Sequence, residues 1–186
     1  MIGIDETFTS PMNTILTLQD VARAREFYKR GYWQTDTLYM LLRAWAEATP
    51  ERFALRDTNG RLTFSDALQW IDAIAHDLHE SGLRPGDRVS IWLPSRMETA
   101  LVFLACSRMG YVCNTSLHRD YTCSEIIALL ERAGSVAFFG QPGYGADADK
   151  NDIFSMIGSL TKLKKVYRVA PLDPRPCDRD PALRFG

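Results

Sequence analysis

The fold is decided by residues 82–114, which begin Gly82-Leu-Arg-Pro-Gly-Asp-Arg-Val-Ser-Ile-Trp-Leu-Pro94 and end Tyr111-Val-Cys-Asn114. Pro85 fixes φ for the first corner of a turn, and Gly86 can adopt the positive φ of the second, so residues 84–87 are predicted to form a type II turn. The apolar residues that follow alternate along the chain, which predicts a strand, and Pro94 ends it.

A helix and a second strand are predicted directly after this first strand. Ser95 and Glu98 have the spacing of a capping box, so we expect the helix to begin there. Its apolar residues recur on one face, and Gly110 is typical of the position just past a helix end. The apolar residues after Gly110 predict the second strand, and the segment therefore has the pattern of a β-α-β unit.

The rest of the chain alternates in the same way between helical and extended patterns. Helices are predicted at residues 20–31, 35–49, 65–82, 122–134 and 153–160, and further strands at 53–57, 62–64, 136–139 and 165–169. Asn59-Gly60 favours a type I′ hairpin turn between the first two of these strands. Together the pattern predicts an α/β fold: a mostly parallel sheet with helices on both faces, plus an antiparallel hairpin near residues 53–64.

Composition shifts suggest three segments. Residues 1–34 are predicted to be an N-terminal arm and helix, residues 35–170 the α/β subdomain, and residues 171–186 a proline-rich tail or linker. Two helix starts carry specific predictions: Ser65 as the cap of one, and a Thr122–Glu125 capping box at the other. In the helix at 35–49, Leu38, Leu41, Leu42 and Trp45 recur with helical spacing, which predicts an amphipathic face.

The overall composition excludes several classes of partner. The 186 residues are 46% hydrophobic and 24% charged, with a net charge of −1, so charge gives no reason to expect binding to nucleic acid or anionic membranes. The first thirteen residues lack the pattern of a signal peptide, and the longest apolar run, residues 100–106, is too short for a membrane span. We therefore expect a cytoplasmic protein with reduced cysteines.

The sequence contains few patterns that indicate a catalytic or ligand-binding site. A sheet of this class places ligands at the carboxyl ends of its strands, which here are residues 93–95, 114–119 and 140–145. Gly140-Gln-Pro-Gly-Tyr-Gly145 lacks the Gly-Lys-Ser/Thr of a phosphate loop, so we interpret it as a surface loop. Cys113, His118 and Cys123 match no zinc spacing and lack a fourth ligand. We predict no metal site and no catalytic residues in this chain.

The chain resembles the opening region of the adenylate-forming superfamily, which contains acyl- and aryl-CoA synthetases. The resemblance rests on Leu83-Arg-Pro-Gly-Asp-Arg-Val-x-Ile-x-Leu-Pro-Ser95, a helix, and Met109-Gly-Tyr-Val-Cys-Asn114. It extends upstream through Tyr28-Lys-Arg-Gly-Tyr-Trp-Gln34, Ala48-Thr-Pro-Glu-Arg-Phe-Ala-Leu-Arg-Asp57 and Arg61-Leu-Thr-Phe-Ser65, and fades after about residue 140. The fold implied is the first subdomain of such an enzyme.

The resemblance implies an ATP-dependent ligase that uses Mg and CoA. Such enzymes convert a small carboxylic acid to an acyl-adenylate and then to an acyl-CoA, as in fatty acid metabolism. Their Ser/Thr/Gly-rich phosphate loop ending in Pro-Lys-Gly, their ribose-binding aspartate and their C-terminal lysine are absent here. The resemblance implies one site residue, because an arginine in the loop containing His118-Arg119 can contact the 3′-phosphate of CoA. The alternative is that Arg119 pairs with Asp120 on the surface.

Two main hypotheses follow for function. In the first, the chain is the N-terminal portion of a carboxylate–CoA ligase, truncated or completed by another chain or a second copy, and inactive alone. In the second, it is a stand-alone α/β binding or interaction module without catalysis. A missing subdomain should leave an apolar face exposed, for which Trp70, Trp92 and Phe103 are candidates. A flavodoxin-like cofactor binder is a third and weaker hypothesis.

Overall fold

The computed structural model describes residues 20–58, 60–115 and 118–172. The predicted arm, Asn59 of the hairpin turn and most of the proline-rich tail lie outside these residues. The chain divides into two compact units, Met1–Asp36 and Thr37–Gly186. The described part of the first unit contains α1 (Val21–Lys29), which Asp20 caps by accepting hydrogen bonds from the two backbone N–H groups of Ala22 and Arg23.

The second unit contains the remaining helices and strands. The helices are α2 (Leu38–Ala48), α3 (Phe64–Glu80), α4 (Met97–Met109), α5 (Cys123–Ala133) and α6 (Ile153–Met156), the last followed by a 3-10 turn (Ile157–Ser159). The strands are β1 (Phe53–Asp57), β2 (Gly60–Thr63), β3 (Arg88–Trp92), β4 (Val112–Asn114), β5 (Ser135–Gly140) and β6 (Lys165–Arg168). The segment predicted as a helix over 153–160 is therefore a single helical turn continued by the 3-10 turn.

The strands form two separate sheets. β1 and β2 pair antiparallel, and the other four strands form a parallel sheet in the order β4-β3-β5-β6. Helices α3 and α4 pack on one face of the parallel sheet, and α5 and α6 on the other. The predicted α/β fold, with helices on both faces and an antiparallel hairpin, is confirmed.

The central strand β3 is buried on both faces. Val89 and Ile91 pack against α3 and α4, whereas Trp92 packs against α5 and α6. Ser90 is also fully buried, and its hydroxyl lies 2.7 Å from the Ser135 hydroxyl of β5, so each has a hydrogen-bonding partner. The alternating side chains of this strand therefore point to two faces that are both buried, because helices cover each side of the parallel sheet here.

A third layer of packing lies beyond α3 and α4. Ile71 of α3 and Leu101 of α4 belong to a cluster that also takes in partly buried side chains of α2 and of the hairpin. From α2 these are Tyr39 and Leu42, and Ala46 is the buried residue of this helix. The hairpin and α2 are thereby held on the outer side of the α3–α4 pair.

The helix predicted over residues 35–49 is present as α2, but its apolar residues are covered only in part. Leu42 packs inward, but Leu38, Leu41 and Trp45 are 51%, 49% and 52% exposed. The helical spacing places these apolar residues on one side of the helix, but it does not show whether other residues cover that side. We call these three residues the α2 stripe. Of the side chains nominated as an exposed face, Trp70 and Phe103 are exposed, and Trp92 is fully buried.

The predicted helix caps are partly confirmed. The Thr122–Glu125 capping box is present, and Gly110 and Gly134 end α4 and α5 with left-handed φ values of 69° and 61°. The capping residue of α3 is Thr63, in a reciprocal box with Asp66, rather than Ser65. The hairpin fixes Thr63 in an extended conformation immediately before the helix, which is the geometry that an N-cap needs.

The predicted Ser95–Glu98 capping box is absent. Arg96 occupies the N-cap position of α4 without a side-chain cap bond. The Glu98 carboxylate, instead of turning back to the backbone of Ser95, binds the Arg96 guanidinium. The N–H of Met97, in the first turn, is bound at 3.1 Å by an Asp57 carboxylate oxygen from the hairpin. A residue distant in sequence therefore provides the acceptor that a local cap usually supplies.

Candidate functional site

The order of the strands creates a switch point between β3 and β5. From β3 the chain crosses by α4 on one face to β4, and it then crosses by α5 on the other face to β5. The loops after β3 and β5 therefore diverge at the carboxyl edge of the sheet, where α/β folds commonly bind ligands. All three stretches predicted from the sequence, 93–95, 114–119 and 140–145, begin at or directly after the last residue of a strand that ends at this edge.

Arg96 joins the loops at this switch point. Its side chain is only 4% exposed and donates from Nε and Nη2 to the two carboxylate oxygens of Glu98, at 2.8 and 2.5 Å. Nη1 donates at 2.7 Å both to Oε1 of Gln141, after β5, and to the carbonyl oxygen of Ala170, after β6. The guanidinium also holds the pKa of Glu98 below its usual value by hydrogen bonding to the ionised form.

Sequence reasoning did not identify Arg96. An arginine between the end of a strand and the start of a helix was the available signal, but Ser95 and Glu98 offered a capping pattern that explained the segment without it. In the structure, the N–H groups of Arg96 are directed at protein acceptors across the switch point. The arrangement holds together the loops that follow β3, β5 and β6.

The loop before α5 is anchored by Trp92, the last residue of β3. The buried indole donates from Nε1 to the carbonyl oxygen of His118 at 2.9 Å. Its ring also packs edge-on against Tyr144, with 5.6 Å between the centroids. A Cβ added at Gly145 would lie 2.6 Å from the Trp92 ring, so only glycine fits at this approach. The segment interpreted as a surface loop is therefore partly packed against the core.

Two backbone contacts hold this loop against the segment after β5. The N–H of Ala146 donates to the carbonyl oxygen of Tyr121 at 2.9 Å. The N–H of Cys123 donates at 2.8 Å to the Asp147 carboxylate, which lowers the pKa of Asp147. Together with the bond from Trp92 to His118, these contacts hold the described part of the loop, residues 118–122, against the segment after β5.

Arg119, the one predicted site residue, is exposed in this anchored loop. No ion pair joins it to Asp120, its neighbour in the described segment 118–172. Burial raises the pKa of the Tyr144 phenol, and the nearby charge of Arg119 opposes that rise. The structure thus brings Arg119 near Tyr144 and leaves its guanidinium accessible at the carboxyl edge.

The structure separates the residues considered as metal ligands. Cys113 packs on the face of the sheet that carries α4, whereas Cys123 is buried with α5 on the opposite face. Among the described residues, no three side chains of the His, Cys, Asp or Glu type are grouped to hold a metal ion. Across the same residues, no helix combines the length and the apolar character required to cross a bilayer.

Comparisons with known proteins place this fold in a family. A model described as "AMP-binding enzyme" matches residues 42–184. Salicylyl-CoA synthase / salicylate adenylyltransferase of a Streptomyces species is 36% identical over 47% of this chain and 16% of its own length. The medium-chain fatty-acid–CoA ligase of Escherichia coli K12 is 25% identical over 93% of this chain and 31% of its own length.

A solved structure gives the same result for the fold. The apo structure of Mycobacterium smegmatis MbtA superposes with a TM-score of 0.65 and 26% identity, over 78% of this chain and 26% of that one. Each of these relatives is much longer than this chain of 186 residues. The chain spans less than a third of the length of each relative. Since the family model covers well over half of the sequence, this chain belongs to the AMP-binding, adenylate-forming enzyme family.

Proposed function

We propose that this chain forms the N-terminal portion of an ATP-dependent carboxylate–CoA ligase. The reaction proposed joins a small carboxylic acid to AMP with release of pyrophosphate, and then transfers the acyl group to CoA. The observation that carries the proposal is the family match over residues 42–184, which covers the entire parallel sheet. Relatives named for salicylate and for medium-chain fatty acids support a carboxylic acid as the substrate class.

We propose further that the chain is inactive by itself. Adenylation needs positive charge placed at the departing pyrophosphate. At the carboxyl edge, the buried guanidinium of Arg96 donates to Glu98, Gln141 and Ala170, so it is occupied by protein acceptors. The sequence also lacks the glycine- and lysine-containing phosphate loops that bind nucleoside triphosphates.

Arg119 is proposed to bind the 3′-phosphate of CoA. The guanidinium is exposed, lies in a loop fixed by Trp92, and has no ion pair with its neighbour Asp120. Arginine can hold two phosphate oxygens at once, which makes it suited to this group. These properties fit a phosphate ligand at the carboxyl edge.

The exposed α2 stripe favours a portion of a larger enzyme over a stand-alone binding module. A self-contained binding module should have a mainly polar surface, whereas three large apolar side chains project from one side of α2. We propose that further protein, in the same polypeptide, a complementing chain or a second copy, covers apolar surface of this kind in the working enzyme. We also propose that it works in the cytoplasm.

The proposed inactivity is tested by mixing the purified chain with ATP, Mg and a panel of aryl and medium-chain carboxylic acids. The measurement is pyrophosphate release, with a complete carboxylate–CoA ligase as the positive control. We expect release indistinguishable from that of a sample without protein. Acid-dependent turnover by this chain alone would show that the inactivity is wrong.

The proposed role of Arg119 is tested separately by binding. Adenosine 3′,5′-bisphosphate carries the 3′-phosphate of CoA, and AMP lacks it, so calorimetric titration with each ligand isolates that group. We expect the bisphosphate to bind more tightly, and Arg119→Ala to abolish the difference while Arg43→Ala, an exposed change on α2, retains it. Equal affinity of the unaltered chain for both ligands would count against the assignment.

A further inference from the structure

Two cysteines meet where α4 ends and β4 begins. Cys106 lies in the last turns of α4 and is buried in the cluster between this helix and the sheet. The chain then reverses at Gly110, where the following N–H of Tyr111 donates to the carbonyl oxygen of Cys106 at 3.0 Å. Cys113 follows in β4 and is half-buried.

The register of the sheet places both thiols on the same face. Cys113 is the direct partner of Val89 in the parallel ladder, and paired residues of neighbouring strands project to the same side. Val89 packs in the same buried cluster as Cys106, and Cys113 packs against that cluster. The pairing of β4 with β3 and the packing of α4 on the sheet therefore place the two side chains in the same cluster.

The electrostatic environment agrees with this placement. Hydrogen bonding to the Cys113 thiol is the largest cause of the raised pKa of Cys106, and burial adds to it. Cys106 is almost inaccessible, whereas Cys113 retains exposed surface on the edge strand β4. An accessible thiol beside a buried one is the arrangement in which the first can react and the second can resolve.

We propose that Cys106 and Cys113 form a reversible redox site that closes to a disulfide when it meets a small-molecule disulfide such as oxidised glutathione. The Cys113 thiolate attacks one sulfur of glutathione disulfide, forming a mixed disulfide and releasing one glutathione thiolate. Cys106 gives its proton to that thiolate, attacks the Cys113 sulfur and expels the second glutathione. Two protein thiols are thereby oxidised to one disulfide, and one glutathione disulfide is reduced to two thiols.

The consequence of closure is a tether between α4 and the edge strand. The bond would fix the end of α4 to β4, which leads directly into the loop that carries Arg119. Cys123 serves as an internal comparison, because it is buried on the opposite face of the sheet from Cys106 and Cys113. It should stay reduced under the same treatment.

The test uses the full chain, equilibrated with oxidised glutathione and then alkylated under denaturing conditions before digestion with trypsin. Arg96, Arg108 and Arg119 separate the two cysteines into the peptides 97–108 and 109–119, so the disulfide appears as one covalently joined pair. We expect this pair in the oxidised sample, its loss after dithiothreitol, and an intact mass lower by two hydrogen atoms. A chain that keeps all its thiols alkylatable would overturn the proposal.

Variants identify the order of attack. In Cys106→Ser, we expect Cys113 to stop as a glutathione mixed disulfide, whereas in Cys113→Ser neither peptide should gain glutathione or a crosslink. Cys123→Ser should form the joined peptides to the same extent as the unaltered chain. Circular dichroism confirms that each variant is folded. A crosslink from Cys113 to Cys177 instead of Cys106, read from the unaltered chain, would also overturn the proposal.

Discussion

Arg96 is a buried cation whose hydrogen bonds connect segments that are far apart in the sequence. Its partners Gln141 and Ala170 lie 45 and 74 residues away, and Glu98 supplies the opposite charge two residues along the chain. A buried charge is tolerated only where its hydrogen bonds are made. The three loops at the carboxyl edge therefore depend on one side chain for their relative positions.

Replacing Arg96 should destabilise the protein substantially. Arg96→Leu leaves the Glu98 carboxylate and the Gln141 amide without their partner, so we expect the free energy of unfolding to fall by about 2–4 kcal/mol. Urea denaturation followed by circular dichroism measures the change. The control Arg43→Ala breaks an exposed pair with Glu47 and should cost no more than about 0.5 kcal/mol. Equal effects of the two variants would contradict the structural role of Arg96.

At the scale of the helices, the first-turn N–H groups are bound either by residues close in sequence or by a residue far away in sequence. Thr63 and Thr122 each form a reciprocal box with an acidic residue three positions later. At α4, in contrast, the first-turn N–H of Met97 is bound by Asp57, forty residues earlier. Local sequence can therefore specify the first two helix starts, whereas the third depends on the hairpin being in place.

The observed cap of α3 can be distinguished from the one that the sequence predicted. Thr63→Ala removes the side-chain acceptor for the N–H of Asp66 and should lower the free energy of unfolding by about 1 kcal/mol. Ser65→Ala lies inside the first turn of the helix and should change it by less than about 0.5 kcal/mol. Chemical denaturation of the two variants gives the comparison. A larger loss for Ser65→Ala would restore the original prediction.

At the scale of the whole molecule, the distribution of apolar surface is uneven. Buried clusters lie between the sheet and α5–α6, between the sheet and α3–α4, and between α3–α4 and one side of α2. The α2 stripe on the other side remains exposed. This surface should bind a hydrophobic dye such as ANS in the purified chain.

Changing the α2 stripe should alter dye binding without altering the fold. Leu38→Gln combined with Leu41→Gln removes exposed apolar surface, so we expect weaker ANS fluorescence and a free energy of unfolding within about 0.5 kcal/mol of the original. Leu42→Gln is the matched control, since Leu42 packs inward and its loss should destabilise the protein by about 1–3 kcal/mol. Unchanged ANS fluorescence in the double variant would show that the dye binds elsewhere.

Much of the fold and part of the candidate site could be predicted from the sequence. The carboxyl ends of the strands were located correctly because strand and helix patterns repeat within a few residues. Arg119 was placed in an exposed loop at that edge, whereas the connection made by Arg96 was missed. No local pattern indicates that Gln141 and Ala170 will be neighbours of Arg96, since this requires β5 and β6 to lie beside β3.

The sequence by itself determined the β-α-β unit, the left-handed glycines that end α4 and α5, and the capping box of α5. Each depends on residues one to four positions apart, whose contacts form whenever the helix or turn forms. Only the tertiary structure decided that Trp92 is buried, that Arg96 bridges three loops, that the α2 stripe faces outward, and that Cys106 meets Cys113. These outcomes depend on the order of the strands and the packing of helices across them, which bring distant residues into contact.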